Sequence, residues 1–217
     1  MSDGFAGYRA RLVEELRSRG LEDLAVLHAF GMTPRHHFVP EALRSRAYED
    51  TALPVGRGQT ISQPSTHAAY LVSLELRGTE RVLEVGTGTG YQAALLASLA
   101  AQVFTVERVP ELAAQARHAL AAAGVANVTV LTGDGTLGWR PYAPYDVILV
   151  AAAGPRVPVP LIEQLSDGGR LVMPVQGTQG QEMVRITRSG GETRSESLGP
   201  ASFVPLIGRH GFQREAE

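Results

Sequence analysis

Between a short β-like run and an apolar helical run, the chain reads Glu84-Val85-Gly86-Thr87-Gly88-Thr89-Gly90. Glycines in such a place let the backbone turn tightly and approach a ligand, while the helix start offers unpaired N–H groups. A dinucleotide fingerprint sets its third glycine three residues after the second. Here it comes after two, and Tyr91 fills a position that the motif keeps small. No Gly-Lys-Ser/Thr follows, which excludes a phosphate-gripping P-loop. Glu107 ends the next β-like run, where a carboxylate can accept hydrogen bonds from ribose hydroxyls. A glycine turn and a ribose acid without a pyrophosphate site suit S-adenosylmethionine. The competing account is a tight turn followed by a solvated strand-end acid. Asp134 lies between Gly133 and Gly135 after the third β-like run, at the same edge of the expected sheet. Asp between glycines is also an ordinary turn residue, so position alone leaves both readings open.

Those residues need a scaffold, and the apolar pattern supplies one. Residues 81–85, 103–107, 128–131, 145–152 and 170–175 read as strands, alternating with helical runs at 91–99, 110–122 and 158–166. Such alternation predicts an α/β fold with a doubly wound, mostly parallel, Rossmann-like sheet. The run at 145–152 is apolar throughout, as in a strand buried on both faces. Residues 182–187 and 203–207 read as two further strands around Ser189-Gly190-Gly191. They make a seven-stranded sheet with a hairpin-like edge. At the other end, Leu12, Leu16, Leu24, Leu27 and Phe30 recur at helical spacing, with Gly20 dividing them into two helices. Pro34, Pro40, Pro54, Gly56 and Gly58 then mark a loop-rich stretch with one helical turn near 41–46. One domain over 1–217 is expected, with 1–79 as an N-terminal helical cap and signature loop and 80–217 as the core.

Composition narrows the classes further. The 217 residues are 44% hydrophobic and 19% charged, enough for one domain with a full core. The 24 glycines and 13 prolines are spread between apolar runs and read as turns. The lack of cysteine excludes disulfides, iron–sulfur clusters, thiolate zinc sites and a cysteine nucleophile. A net charge of −2 gives no bulk attraction to nucleic acid or anionic membrane. No apolar run approaches the ~18 residues that span a bilayer, and residues 1–20 carry no signal-peptide core. A cytoplasmic protein without nucleic-acid or membrane partners is expected. The pair His36-His37 beside Arg35 has no metal-ligand spacing with any acidic cluster, so it reads as structural and no metal is expected.

Upstream of the core lie Leu53-Pro54-Val55-Gly56-Arg57-Gly58-Gln59-Thr60-Ile61-Ser62-Gln63-Pro64, a loop whose polar groups could cover a site. By itself Ser62 reads as a cap for the helix starting near Pro64, and His67 as a first-turn surface histidine. No Gly-x-Ser-x-Gly surrounds Ser62, which argues against a hydrolase nucleophile. Together with Thr33-Pro34-Arg35-His36-His37-Phe38-Val39-Pro40, the glycine motif, Gly168-Gly169-Arg170-Leu171-Val172-Met173-Pro174-Val175 and Phe203-Val204-Pro205-Leu206, this loop is telling. The chain resembles, nearly end to end, the protein-L-isoaspartate O-methyltransferase family of class I methyltransferases, which repair isoaspartyl residues in aged proteins. The Gln-Thr-Ile-Ser loop is its most specific feature.

The resemblance implies that Ser62 is the catalytic, active-site serine. It places Thr60, Ile61, Ser62 and His67 along S-adenosylmethionine, with Glu84 near the methionine end. Gly86, Thr87, Gly88 and Gly90 form the cofactor turn, Glu107 with Arg108 beside it holds the ribose, and Asp134 with Gly135 lies at the adenine. Ser65-Thr66 and Ile207 depart from some members at the rim of the substrate site. S-adenosyl-L-homocysteine is the implied product. Isoaspartyl peptides and damaged or unfolded proteins are the implied partners, with the enzyme a monomer.

An isoaspartyl linkage runs through the side chain, so the free acid is an α-carboxyl with a pKa of roughly 3.3–3.7. Already ionised, it needs no general base. Ser62 then orients a carboxylate without taking a proton. The implied ester cyclises to a succinimide, which hydrolyses partly to normal aspartate. The glycine spacing speaks against a nicotinamide oxidoreductase. Ala151-Ala152-Ala153-Gly154-Pro155 stands where base methyltransferases carry Asn/Asp-Pro-Pro-aromatic. Methylation of one specific Asp in a precursor peptide is the alternative that keeps the chemistry.

Overall fold

Gly20, at a φ of 95°, ends the first helical run and separates α1 (Ala6–Ser18) from α2 (Leu24–Met32). The computed structural model describes residues 4–56 and 58–213. Asp23 caps α2 by accepting from the Ala25 and Val26 amides, a contact that stabilises a helix start by about 1 kcal/mol. Two 3-10 turns follow, Arg35–Phe38 and Glu41–Arg46. The stretch that reads as loop in the sequence instead forms an antiparallel ribbon, β1 (Leu53–Gly56) and β2 (Gln59–Ile61). Its strands are too short for periodicity to register, and one contains Pro54. Next, α3 (Pro64–Ser73) opens on proline, where the missing N–H leaves no bond unmade.

From there strands and helices alternate as the pattern predicts. The elements are β3 (Arg81–Val85), α4 (Tyr91–Ala97), β4 (Gln102–Glu107), α5 (Pro110–Ala122), β5 (Val128–Thr132), β6 (Tyr145–Val150), α6 (Val159–Glu163) and β7 (Leu165–Gly177). Two long strands, β8 (Gly180–Ser189) and β9 (Glu192–Ala201), complete them. All seven join one sheet in the order β5-β4-β3-β6-β7-β8-β9. The first five are parallel, while β8 and β9 are antiparallel additions at the edge. This is the doubly wound, Rossmann-like α/β sheet.

Successive strand residues point to opposite faces, and both faces are apolar. Val82, Val103, Val147 and Leu149 pack with Leu12, Phe30, Leu71, Leu95 and Leu120 from the first five helices. Leu83, Phe104, Ile148 and Val150 form the opposite core, closed by Leu161 of α6 and by Leu206. Cover is therefore lopsided, with the N-terminal helices adding to one face only.

One sequence expectation is corrected at the edge. The last strand is Glu192–Ala201 and not 203–207. β9 is exposed along nearly its whole length, so no alternation of apolar and polar residues marks it. Residues 203–207 are apolar for another reason. Leu206 drops into the core, and Pro205 makes a lone parallel bridge with Ala153.

Candidate active site

In the sheet, β3 has β4 on one side and β6 on the other, so successive connections leave it in opposite directions. That switch opens a crevice beyond the carboxyl ends of the strands. The glycine turn fills it. Gly86, Gly88 and Gly90 have φ values of 97°, 52° and 88°, which glycine adopts without the Cβ penalty. A side chain at Gly90 would also press on Ala116 and Leu120 of α5, at 3.3 Å. Glu107 closes β4 with its carboxylate buried and fastened twice. Its Oε2 accepts from the Gly88 amide and its Oε1 from the Val109 amide, each at 2.9 Å. A carboxylate has about four acceptor positions, so two remain for hydroxyls of a ligand. The cavity in front has a volume of about 360 Å³, within the roughly 300–1,000 Å³ of small-molecule sites.

On the opposite wall stand Thr60, Ile61 and Ser62, delivered by β2. The loop after β2 is held from behind. Arg35 Nη2 donates to the Ser62 carbonyl at 2.9 Å, and the Ser65 amide donates to Asp50 Oδ1 at 2.8 Å. The residue before α3 is Gln63, whose own side chain makes no cap bond, and the free Ser65 amide of the first turn is taken by Asp50, so Ser62 does not serve as the cap. His67 is buried, not a surface histidine. Its Nδ1 bonds Gln92 Oε1, an atom that only accepts, so the proton is on Nδ1. Burial first, and then the charge of Arg35, push its pKa down to about 3 and keep the ring neutral. His67 Nε2 and Gln92 Nε2 are left without partners, although both residues line the cavity. Two buried polar side-chain atoms without partners, on residues that line the cavity, suit the charged amino-acid end of a ligand. With the Glu107 acceptors opposite, the donor set fits S-adenosylmethionine.

Ten residues expected at the cofactor line this cavity: Thr60, Ile61, Ser62, His67, Gly86, Thr87, Gly88, Glu107, Arg108 and Gly135. Glu84, Gly90 and Asp134 do not line it. Glu84 is fully buried under the turn, beside its register partner Thr105. Thr105 Oγ1 donates to Glu84 Oε2 at 2.5 Å and lies 2.6 Å from Thr87 Oγ1. Burial drives the Glu84 pKa up to about 8, the nearby Glu107 adding to the rise against the Thr105 bond. Glu84 is thus a neutral prop beneath the glycine turn. Asp134 behaves as the turn residue it resembles. Its carboxylate takes the Thr136 amide at 2.9 Å, the Thr136 hydroxyl at 2.6 Å and the Arg209 amide at 2.7 Å. Burial works to raise its pKa, but those bonds outweigh it and hold the group below its ordinary value. Among the described residues, no cluster of three His, Asp or Glu could hold a metal.

Sequence reasoning missed Gln92, Ala151 and Ala152 in the cavity wall and Arg35 behind it. Gln92 had a signal, being polar in the first turn of an otherwise apolar helix. Arg35 belongs to the Thr33-to-Pro40 stretch that resembles the family, but only its burial shows that it stands behind the Ser62 loop. A second, wider groove of about 800 Å³ adjoins the first and shares Thr60, Ser62, Ala151 and Val204 with it. Its walls include Tyr70, Met183 and Phe203, and no charged side chain lines it among the described residues.

A doubly wound sheet with a glycine turn, a ribose-type acid and an amino-acid pocket at its carboxyl edge defines a class I S-adenosylmethionine-dependent methyltransferase. The profile of the protein-L-isoaspartate(D-aspartate) O-methyltransferase family matches residues 8–211. The protein-L-isoaspartate O-methyltransferase of Methanoculleus marisnigri is 52% identical over 208 residues, covering 95% of this chain and 94% of that one. A solved protein-L-isoaspartate O-methyltransferase superposes with a TM-score of 0.85 at 29% identity, over 94% of this chain and 67% of that one. A Plasmodium falciparum protein solved with S-adenosyl-L-homocysteine shares the fold, with a TM-score of 0.80 at 24% identity over 91% and 97% of the two chains. The chain belongs to the protein-L-isoaspartate O-methyltransferase family. It is an S-adenosylmethionine-dependent enzyme acting on isoaspartyl protein substrates.

Proposed function

We propose that the acceptor carboxylate is presented at Ser62, where the wide groove opens into the cofactor cavity. The observation that carries this is the shared wall, since Thr60 and Ser62 line both spaces. When bound, S-adenosylmethionine supplies an electrophilic methyl on a sulfonium. His67 and Gln92 hold its amino-acid end, Glu107 its ribose, and Gly135, with Asp134 shaping the turn, its adenine side. Glu84 acts through Thr105 and Thr87 by holding the turn in shape. Ser62 donates a hydrogen bond to the substrate carboxylate and fixes it in line. No group need remove a proton from an acid ionised at roughly pH 3.3–3.7 and above. Positioning is then the main contribution, of the kind that supplies about 7–11 kcal/mol.

The reading extends to isoaspartyl sites in damaged or unfolded proteins and in peptides, because the groove is open and uncharged among the described residues. It takes the chain as one working unit, with residues 1–79 closing the site over the core at 80–217, active as a monomer in the cytoplasm. No helix among the described residues is long and apolar enough to cross a membrane. The net charge of −2 gives no pull toward nucleic acid.

Two substitutions separate the roles. Glu107→Gln is expected to weaken S-adenosylhomocysteine binding by roughly 10-fold or more, as for a lost charge-assisted hydrogen bond. Ser62→Ala is expected to keep that binding within about 2-fold while methyl transfer to an isoaspartyl peptide falls roughly 10–100-fold. Calorimetry and a transfer assay read the two effects. Unchanged transfer by Ser62→Ala would remove Ser62 from the acceptor site.

A further inference from the structure

Among the described residues Arg35 is the only buried arginine, with no measurable exposure. Removing a guanidinium from water is costly unless an anion pairs with it. Arg35 has no such direct partner. Its Nη2 donates to the Ser62 carbonyl at 2.9 Å, and its Cζ lies 4.7 Å from the centre of the Tyr91 ring. Its Nε and Nη1 are buried without hydrogen-bond partners. Asp50, the carboxylate whose field reaches Arg35, is itself committed elsewhere. Asp50 Oδ1 takes the Ser65 amide at 2.8 Å, and Oδ2 takes Arg19 Nη1 at 2.7 Å. Arg19 is paired with Glu15 Oε1 as well, at 2.6 Å, so the Asp50 charge is the nearest counter-charge to Arg35, yet no carboxylate contacts the Arg35 guanidinium behind the Ser62 loop. His67 is neutral and adds no charge.

In front of the loop the balance is different. No charged side chain lines the wide groove among the described residues, and the arginine that lines the cofactor cavity is Arg108, next to Glu107 in sequence. Among the described residues, a carboxylate arriving at Ser62 meets hydroxyls, amides and apolar surface but no contact cation. The field of a buried charge is poorly screened, so it reaches across the loop it supports.

We infer that Arg35 is a positioning residue for the acceptor: its charge, set behind Ser62, favours the substrate's ionised carboxylate over a neutral group of the same shape. This rests on the reading of Ser62 and the wide groove as the acceptor site. A purely structural Arg35 would tie the turn at 35–38 to the Ser62 carbonyl, and any donor of similar reach would serve.

The test compares two peptides bound to the full-length protein saturated with S-adenosylhomocysteine. They are identical except that the isoaspartyl residue carries a free α-carboxylate in one and an α-carboxamide in the other. Wild type is expected to prefer the carboxylate. Arg35→Gln removes the charge but ends short of the Ser62 carbonyl, so the carboxamide peptide serves as the control for the lost tether. The substitution should cut the preference about 10-fold while S-adenosylhomocysteine and carboxamide-peptide affinities change less than about 2-fold. Arg35→Lys should retain the preference within about 3-fold, and Asp50→Asn, which frees positive charge, should raise it about 3-fold. The last two variants carry the test even if Arg35→Gln does not fold. Equal weakening of both peptides by Arg35→Gln, or a fall in preference in Asp50→Asn, would overturn the inference. Loss of S-adenosylhomocysteine affinity with the peptide preference intact would also overturn it, placing the charge at the cofactor's carboxylate. Wild type without any preference would sink the acceptor-site reading as well; preference intact in Arg35→Gln sinks only the role of Arg35.

Discussion

Glu84 and His67 are ionisable groups held neutral by burial, and they shift stability in opposite directions with pH. The folded pKa of His67 is about 3 against an ordinary 6.5, so its contribution is complete above 6.5 and is lost as pH falls toward 3. The folded pKa of Glu84 is about 8 against an ordinary 4.5, so its contribution is complete below 4.5 and is lost as pH rises through 8. Between 4.5 and 6.5 the two trends oppose each other. Above that window Glu84 acts alone of the pair, at no more than about 1.4 kcal/mol per pH unit. Glu84→Gln keeps an acceptor for Thr105 and cannot ionise. Thermal melts of the ligand-free protein from pH 5 to 9 should show the decline above about 6.5 in wild type and a flatter limb in Glu84→Gln. Parallel limbs in the two proteins would mean that Glu84 is not protonated in the folded state.

The cavity floor depends on how two strand exits meet. Gly135 opens the 3-10 turn after β5, and a Cβ there would run into Val85 at the end of β3. Gly135→Ala should therefore separate the exits, costing about 1–3 kcal/mol of stability as overpacking does. The same shift should weaken S-adenosylhomocysteine binding by roughly 10-fold, since binding sites tolerate little displacement. Wild-type affinity in Gly135→Ala, measured by calorimetry, would show that this contact does not shape the cavity. The glycine turn and Glu107 were legible in the sequence because local geometry demands them: three left-handed positions and an acid at a strand end. The bounds of α5 were legible for the same reason, since Pro110 marks its start. The β1–β2 ribbon and β9 were not, one being too short and the other exposed on both faces. The pairing of His67 with Gln92 was hidden too. It depends on α3 meeting α4, a tertiary contact that no local pattern encodes.

At the scale of the molecule, α3 is a strut between strands β7 and β8 of the sheet and the Ser62 loop. Arg170 of β7 donates to the carbonyls of Leu74 and Glu75 just beyond the end of α3, and Arg185 of β8 reaches Ser73 and Glu75. At its other end the N-terminal segment grips both the Ser62 carbonyl, through Arg35, and the Ser65 amide in the first turn of α3, through Asp50. The site is thus enclosed by segments far apart in sequence, and the apolar pattern could place the core sheet without showing what closes it. An enzyme of this kind transfers selectively to a carboxylate that exists only in the isoaspartyl linkage. The protein should be incubated with methyl-labelled S-adenosylmethionine and two peptides that differ only in isoaspartyl against aspartyl linkage at one site. Base-labile label on the isoaspartyl peptide alone is the predicted result. Equal labelling of both peptides, or cofactor binding with transfer to neither, would contradict it.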